Sequence, residues 1–394
     1  MENLTILGEL SPQQFLDEYW QKKPVVIRQA FPDLELPFTA EELAGITCDT
    51  DAPSRIIVEH GFGSNPTPWQ DKHGPFTDDD FTSLPDTHWT FLVNDLERYV
   101  PELGNLIEPF RFIPDWRIDD LMVSYAADQG SVGPHTDEYD VFLIQGMGKR
   151  RWNIISHDDY PKDIIPDLSL SILAEFESDQ EWLLEAGDML YLPPDMPHYG
   201  VAEGECMTFS VGFRAPSQQE LIQNWVESFT DKPAFKQRFN DARRKVQQSS
   251  GEIQQHDIDA LSQLLLDGIH SQESKLSNWL GKYLTETRGD YSQISETEKT
   301  QQIENDRSTY NPNYNYERET SLRFAYIEPK DTAIIDFFAN GKHISLPNKH
   351  KKMIQQLCSD YYYSADSLTT ITTNYDFLML FNELIAEGSI YPAD

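Results

Sequence analysis

The chain has 394 residues, with 31 Lys or Arg against 66 Asp or Glu, so its formal net charge is −35. Such a surface repels a phosphate backbone, which argues against nucleic acid as a direct partner, and it attracts basic macromolecules such as ribosomal proteins. General solubility explains the charge equally well. Three scattered cysteines, the absence of a secretory leader and the absence of any run of about 20 apolar residues predict a cytoplasmic protein without a membrane span.

Residues 1–215 predict a domain of many short strands. Ser11, Pro12 and Gln14 are typical of a helix start, so we expect a helix up to Trp20, and a second one near 39–46. Runs of β-forming residues then recur between turn residues, which favours a β-sandwich or barrel. The predicted strands are 25–28, 55–59, 89–93, 121–126, 141–145, 152–155, 189–192 and 207–213.

The pattern changes after residue 215. Residues 216–305 carry helical spacing at 218–229 and 257–270 and predict a small helical domain, followed by a polar linker over 296–319. Residues 306–394 predict a small sheet with a hairpin turn at Asn340-Gly341. Its strands are 322–327, 332–338 and 342–346, and the helices after them are 349–362 and 375–387. The whole chain is therefore predicted to be an α+β protein with a winged-helix-like C-terminal domain.

Two remote segments predict a mononuclear metal site. His135 and Asp137 form a His-x-Asp pair between a Gly-Pro pair and an apolar strand, and His198 ends the segment 185–198 (EAGDMLYLPPDMPH). Two imidazoles and one carboxylate occupy one face of an octahedral iron and leave three positions for co-substrate and O2. We therefore expect His135, Asp137 and His198 to bind Fe(II). The alternative for His198 is a histidine that only packs beside the prolines.

A second His-x-Asp pair shows that this short pattern alone is a weak signal. His157 and Asp159 lie in a polar loop after a predicted strand, and no apolar strand follows them. We interpret His157 as a solvated loop residue rather than a ligand.

Three further segments carry a resemblance to a known family. They are 133–142 (GPHTDEYDVF), 145–152 (QGMGKRRW) and 210–216 (SVGFRAP). They resemble the JmjC/cupin oxygenases, and most narrowly the bacterial ribosomal oxygenases, which hydroxylate an arginine of large-subunit ribosomal protein sixteen. The resemblance implies a double-stranded β-helix, a helical dimerisation domain that makes a homodimer, and a winged-helix-like domain. It also implies Fe(II), 2-oxoglutarate and O2 as cofactor and co-substrates, and the β-carbon of an arginine as the target.

The far carboxylate of 2-oxoglutarate needs a buried cation, and arginine can pair with it through two hydrogen bonds. Strand alternation places Arg150 on the same face as Trp152 and Ile154, and Lys149 and Arg151 on the other. If Trp152 faces the core, Arg150 does too, so Arg150 is the predicted anchor, and the resemblance implies the same residue. The alternative is that these three cations form a solvated basic cluster.

The resemblance also implies roles for three residues whose sequence context is ordinary. Ser124 matches a family position that hydrogen-bonds the same carboxylate, although it could be an ordinary strand serine. Asp128 matches a position that holds the substrate guanidinium, although it could be a loop aspartate in an acidic protein. Met147 stands where some relatives carry an aromatic side chain near the substrate.

Other functions remain open on the sequence. A histidyl hydroxylase or a lysine demethylase would use the same scaffold, and another cupin metalloenzyme would need no inward Arg150. A non-catalytic regulator that acts through the C-terminal domain is a third alternative, and the acidic charge argues against its binding DNA.

Overall fold

The computed structural model describes residues 5–60, 69–242, 244–287, 309–330, 332–369 and 374–393. Its contacts divide the chain into two compact units: Met1–Ala215 with Arg318–Ser321, and Pro216–Glu317 with Leu322–Asp394. The division after Ala215 coincides with the boundary expected from the sequence. The boundary expected between 305 and 306 lies outside the described residues, so the separation of 216–305 from 306–394 stays a prediction.

The first unit is built on one antiparallel sheet. Its strand order is β1-β8-β6-β9-β5-β4-β2-β3, and β7 also pairs with β6. The strands are β1 Val25–Ile27, β2 Ser54–Glu59, β3 Trp69–His73, β4 Trp89–Val93, β5 Ile118–Ala126, β6 Val141–Ile154, β7 Gln180–Glu185, β8 Met189–Leu192 and β9 His198–Phe213, and the helices are α1 Pro12–Glu18, α2 Ala40–Asp49, α3 Asp78–Thr82 and α4 Gly104–Ile107. The sequence did not predict β3 and β7.

Two long strands, β6 and β9, organise this sheet. The runs 141–145 and 152–155, expected as separate strands, are one strand, and β9 begins at His198 rather than near 207. The register of β6 against β9 shifts between Gln145 and Lys149, where Gly148 has a φ of 65°. A Cβ at Gly148 would collide with the backbone oxygen of Glu205, so glycine lets the strand continue through a bulge. β8 pairs with the first half of β6 and β7 with the second half.

The main core of the first unit packs side chains of this sheet against Phe15 of the N-terminal helix and against residues of the segments 38–43 and 103–113. The predicted helix start is confirmed, because the Ser11 side chain accepts from the Gln14 backbone and the Gln14 side chain accepts from the Ser11 backbone. The helix buries Phe15 completely, with ring centroids 5.4 Å from Phe142 and 5.0 Å from Tyr191. Aromatic packing therefore holds the helix against the face of β6 and β8 that carries Phe142 and Tyr191.

The second unit contains helices and two small sheets. Its helices are α5 Gln218–Thr230, α6 Gln255–His270, α7 Leu276–Thr285, α8 Lys351–Ser359 and α9 Tyr375–Ala386, and its strands are β10 Tyr316–Arg318, β11 Phe324–Ile327, β12 Ile334–Ala339, β13 Lys342–Pro347, β14 Tyr362–Tyr363 and β15 Ile390–Pro392. The sheets are β11-β12-β13 and β14-β10-β15. Among the described residues, each helix is too short or too polar to cross a bilayer.

The predicted hairpin at Asn340-Gly341 is confirmed, with both residues at positive φ between β12 and β13. The helix expected over 349–362 is shorter, because Tyr362 and Tyr363 leave it and pair with β10. Residues 296–308 of the expected linker lie outside the described residues. Its remaining residues, 309–319, contain strand β10, which was not predicted.

Candidate active site

The structure brings the two predicted metal-binding segments together. His135 and His198 exchange backbone hydrogen bonds, with N···O distances of 3.0 and 2.9 Å. The backbone N–H of Asp195, in the proline-rich bend before β9, donates to the carbonyl of Asp137 at 2.7 Å. The bend and the His-x-Asp segment are therefore fixed to each other before any metal is considered.

The side chains of His135, Asp137 and His198 converge on one point. Nε2 of His135 lies 3.8 Å from one carboxylate oxygen of Asp137, and Nε2 of His198 lies 3.6 Å from the other. Nδ1 of His135 is 2.9 Å from the Gly133 carbonyl, and Nδ1 of His198 is 2.9 Å from the Met196 carbonyl. Because a carbonyl accepts only from a protonated nitrogen, both rings carry their proton on Nδ1 and offer Nε2 as a lone-pair donor.

This donor set fits a ferrous ion. Two neutral imidazoles and a carboxylate on one side of a shared point form the facial arrangement that leaves coordination positions open. Burial lowers the pKa of His198 to about 4, with a further contribution from His135, while the charge of Asp137 acts in the opposite direction. His198 is therefore neutral at pH 7, which is the form that binds a metal.

Arg150 points into the same site from the second half of β6. Arg150 and Trp152 are each 4 % exposed and Ile154 is fully buried, so all three lie on the inward face of β6. The predicted alternation is therefore confirmed. Its Nη1 donates to Ser124 Oγ at 3.3 Å, while its Nε and Nη2 are buried without an acceptor among the described residues. A buried guanidinium with unused donors is costly unless an anion meets it. The arrangement therefore fits a carboxylate ligand.

One cavity of about 80 Å³ contains all of these groups. His135, Asp137, His198, Arg150 and Ser124 line it together. The sequence interpretation missed the other polar residues of its wall, which are Asn94, Asp120, Tyr139 and Ser210.

Asp120 is the most informative of the missed residues. Desolvation raises its pKa to about 7, and the negative charges of Asp95 and Asp119 add to the effect. One oxygen accepts weakly from the Asn94 side chain at 3.3 Å and from the Asp95 backbone at 3.4 Å. Its position on β5 follows from the alternation that also turns Met122 and Ser124 into the cavity, so the strand pattern was a signal that could have found it.

Asp128 and Met147 are placed differently. The Asp128 carboxylate accepts from the backbone N–H of Gly204 at 2.7 Å, and the Met147 carbonyl accepts from the Gln145 side chain at 2.8 Å. Neither residue is among those that line the cavity. Their contact with a substrate therefore stays a prediction, and the structure does not bring them to the other site residues.

Comparisons with known proteins show which families and relatives this chain is similar to. The JmjC domain family matches residues 105–221, a ROXA-like winged helix matches 263–391, and an AraC-like ligand-binding domain matches 177–278. The ribosomal protein uL16 3-hydroxylase of Escherichia coli is 32% identical over 374 residues, which is 95% of each chain. The chain belongs to the ribosomal oxygenase family. A probable ribosomal oxygenase of Haemophilus influenzae is 38% identical over 67% of this oxygenase and 66% of that relative.

Solved structures agree with this membership. An X-ray structure of Escherichia coli YcfD superposes with a TM-score of 0.76 at 29% identity, covering 98% of this oxygenase and 99% of that chain. The ribosomal oxygenase YcfD in complex with cobalt and 2-oxoglutarate gives a TM-score of 0.76 at 28% identity with the same coverage. The predicted family and fold class, including the C-terminal winged-helix domain, are thereby confirmed.

Proposed function

We propose that this oxygenase is an Fe(II)- and 2-oxoglutarate-dependent dioxygenase that hydroxylates an arginine side chain of ribosomal protein uL16. One observation carries the proposal: a two-histidine, one-carboxylate donor set shares its cavity with a buried arginine that has unused donors. The uL16 3-hydroxylase that aligns over 95% of the chain supports the substrate class, and the cobalt and 2-oxoglutarate bound to YcfD support the cofactors.

The protein would hold iron through Nε2 of His135 and His198 and a carboxylate oxygen of Asp137. Bound iron supplies O2 activation coupled to oxidative decarboxylation of 2-oxoglutarate, which gives succinate and CO2 and transfers one oxygen atom to the substrate. The Gly133 and Met196 carbonyls hold the two imidazoles in the required tautomer. The ligands are thus oriented in advance, which lowers the cost of assembling the site.

Arg150 and Ser124 would bind the far carboxylate of 2-oxoglutarate. Nε and Nη2 of Arg150 can meet both oxygens of one carboxylate, and Ser124 Oγ lies 3.3 Å from Nη1 on the same side. Both residues are buried, so the ion pair forms away from water and is stronger than an exposed one. This arrangement selects a dicarboxylic co-substrate.

Asp120 would recognise the arginine of the substrate. It lines the same cavity as the metal ligands, and its desolvated carboxylate gains a counter-ion when a guanidinium enters. Tyr139, which is 42% exposed, marks the side of the cavity that solvent reaches. Asp120 is therefore a second candidate for the role that the sequence interpretation gave to Asp128, whose contact with the substrate stays a prediction.

The surface charge and the second unit complete the proposal. A net charge of −35 favours a basic protein substrate over a direct nucleic-acid partner, and we place the reaction in the cytoplasm, where ribosomal proteins are made.

On α6, Ile258, Leu261 and Leu265 form an apolar stripe that is 43% to 65% exposed. Such a stripe is typical of an interface, and we propose that it forms the homodimer contact. Light scattering of Leu261→Glu/Leu265→Glu should then show a monomer.

Peptide mass spectrometry tests the activity. Purified protein, Fe(II), 2-oxoglutarate and uL16 from the same organism should give uL16 that is heavier by one oxygen atom, localised to one arginine, with one succinate formed per oxygen transferred. Oxygen on a histidine would establish a histidyl hydroxylase instead, and loss of a methyl group as formaldehyde would establish a demethylase. An oxygen gain that survives His135→Ala would contradict the site.

A peptide comparison tests Asp120 separately. Citrulline has the shape of arginine without its charge, so it should react much more slowly than arginine with the native protein. Asp120→Asn should remove most of this preference because the neutral amide no longer pairs with a cation. Asp128→Asn serves as the matched control, and a loss of preference there instead would return the role to Asp128.

A further inference from the structure

A second group of metal-binding side chains lies in the first unit, outside the cavity. Glu59, His60 and His88 each offer one ligand atom, and these atoms all lie within 4.8 Å of one another. We propose that this trio, called here the strand-end cluster, is a second metal site and that it binds Zn²⁺.

The pairing of β2 with β4 creates the cluster from distant parts of the sequence. Val58 is opposite Trp89 in the antiparallel register, and one step further the backbone N–H of Glu59 donates to the His88 carbonyl at 3.0 Å. Glu59 and His88 are therefore cross-strand neighbours, whose side chains lie on the same face of a sheet. His60 is the next residue in the chain, so three potential ligands, one carboxylate and two imidazoles, meet at one strand end.

The backbone at both histidines is unusual. His60 has a φ of 71° and His88 a φ of 65°, which is the left-handed region. Residues other than glycine adopt it infrequently, and such positions concentrate at functional sites. In this conformation the two imidazole rings come together, with centroids 5.4 Å apart. The two uncommon φ angles thus bring the rings of His60 and His88 next to each other.

Thr87 orients one of the two rings. Its Oγ1 lies 2.8 Å from Nδ1 of His88, within hydrogen-bond distance. A metal-bound imidazole commonly makes such a bond with the nitrogen that does not face the metal, which fixes the ring and its tautomer. Nε2 of His88 is then the atom that remains for a metal.

The donor chemistry selects the ion. Ca²⁺ and Mg²⁺ prefer oxygen ligands, so two imidazoles argue against them. Two histidines and one glutamate are a known zinc ligand set, with a water in the fourth position. At nitrogen and oxygen donors, Zn²⁺ also binds more tightly than Fe(II), so the strand-end cluster would take zinc rather than compete for iron.

A metal there would act on the loop that leads to the active site. The backbone N–H of His88 donates to the Asp128 carbonyl at 2.9 Å, and the Trp89 carbonyl accepts from Ala127 at 3.2 Å. This loop connects β5 to His135. Zn²⁺ would therefore tie the ends of β2 and β4 together beside it, which is a structural role that needs neither 2-oxoglutarate nor substrate.

Zinc binding can be measured independently of the oxygenase reaction. Full-length His135→Ala/His198→Ala protein, which has lost two iron ligands, should still bind one Zn²⁺ per chain in equilibrium dialysis. X-ray absorption should show imidazole and carboxylate ligands at about 2.0–2.2 Å. A failure of the proposed hydroxylation would leave this result unchanged.

Variants in the same background decide the assignment. His60 is exposed, so His60→Ala should remove the zinc without disturbing the fold, whereas His157→Ala/His256→Ala, which removes two other exposed histidines, should keep it. Thr87→Val should weaken binding about 10-fold and Thr87→Ser should restore it. No zinc in the background protein, or zinc that survives His60→Ala together with Glu59→Gln, would overturn the proposal.

Discussion

Two clusters in the first unit present the same ligand types in different surroundings. His135, Asp137 and His198 combine with Arg150 in an internal cavity, and His198 is buried. The strand-end cluster also has two histidines and one carboxylate, but it lies where β2 and β4 end, and its His60 is exposed. The ligand set alone therefore does not determine the chemistry.

The surroundings of each cluster determine what it can do. The cavity holds an arginine with unused donors beside the metal ligands, so a dicarboxylate and a metal can be bound together. The His135 and His198 rings are held by backbone carbonyls, whereas His88 is held by a side-chain hydroxyl. We infer that the first site supports a reaction and that the second supports the fold.

The largest expected effect comes from removing one ligand of the first site. Asp137→Ala should lower the turnover of uL16 by at least about 1000-fold, equal to about 4 kcal/mol of activation free energy, because the metal loses its only anionic protein ligand. His157→Ala, in the second His-x-Asp pair, should leave turnover unchanged because that residue lies in an exposed loop. Single-turnover mass spectrometry measures both. Equal losses in the two variants would remove the distinction between the pairs.

Sequence patterns were sufficient wherever a site follows local rules. The two halves of the proposed iron site could be predicted because each is a short motif next to a recognisable strand, and the structure brings their three side chains together. Arg150 was predicted to be buried because alternation on β6 ties it to Trp152. The predicted bounds of β9 were partly wrong, because the strand expected over 207–213 already begins at His198.

Sites assembled by tertiary pairing were not predictable. Glu59 and His88 belong to no spacing motif and become neighbours only through the register of β2 and β4. Alternation on β5 puts Asp120 on the same face as Ser124, but Asp120 follows another aspartate in an acidic chain, so only the cavity singled it out. The bulge at Gly148 joins two predicted strands into one; a glycine inside a strand pattern is compatible with a bulge or with a break, so the sequence alone did not decide between them.

A second prediction concerns the pH dependence of stability that follows from the burial of His198. The pKa of His198 is about 4 in the folded protein against about 6.5 in an unfolded chain. Between these values the unfolded state binds more protons, so the free energy of unfolding of the metal-free protein falls as the pH falls from 6.5 to 4. The full loss is on the order of a few kcal/mol, at about 1.36 kcal/mol per pKa unit. Urea unfolding with a chelator present, at several pH values, measures it.

His198→Gln provides the control for this titration. Its amide does not titrate, so the variant should be less sensitive to pH over the same window, whatever its stability at pH 7. Trp152, whose ring centroid is 5.8 Å from that of His198, gives a local fluorescence signal for the unfolding. A pH dependence that is identical in both proteins would mean that another group is responsible.

The smallest expected effect separates the two faces of β6. Arg150→Lys keeps the charge but loses the paired donors, so KM for 2-oxoglutarate should rise about 10–100-fold, or about 1.4–2.8 kcal/mol, with kcat largely retained at saturation. Arg151→Lys should change KM less than about 2-fold, because Arg151 points outward and pairs with Glu181 and Glu203 in weak surface bridges.

The co-substrate itself can be varied to identify the atoms involved. 2-Oxopentanoate keeps the metal-binding end of 2-oxoglutarate and lacks the far carboxylate. The native protein should therefore bind it much more weakly than 2-oxoglutarate, and Arg150→Lys should show a smaller difference between the two acids, since the pair that distinguishes them is already weakened. If the variant discriminates as well as the native protein, Arg150 does not contact that carboxylate. The cavity would then lose the feature that most clearly distinguishes it from the strand-end cluster, which is a cation that binds the dicarboxylate beside the metal ligands.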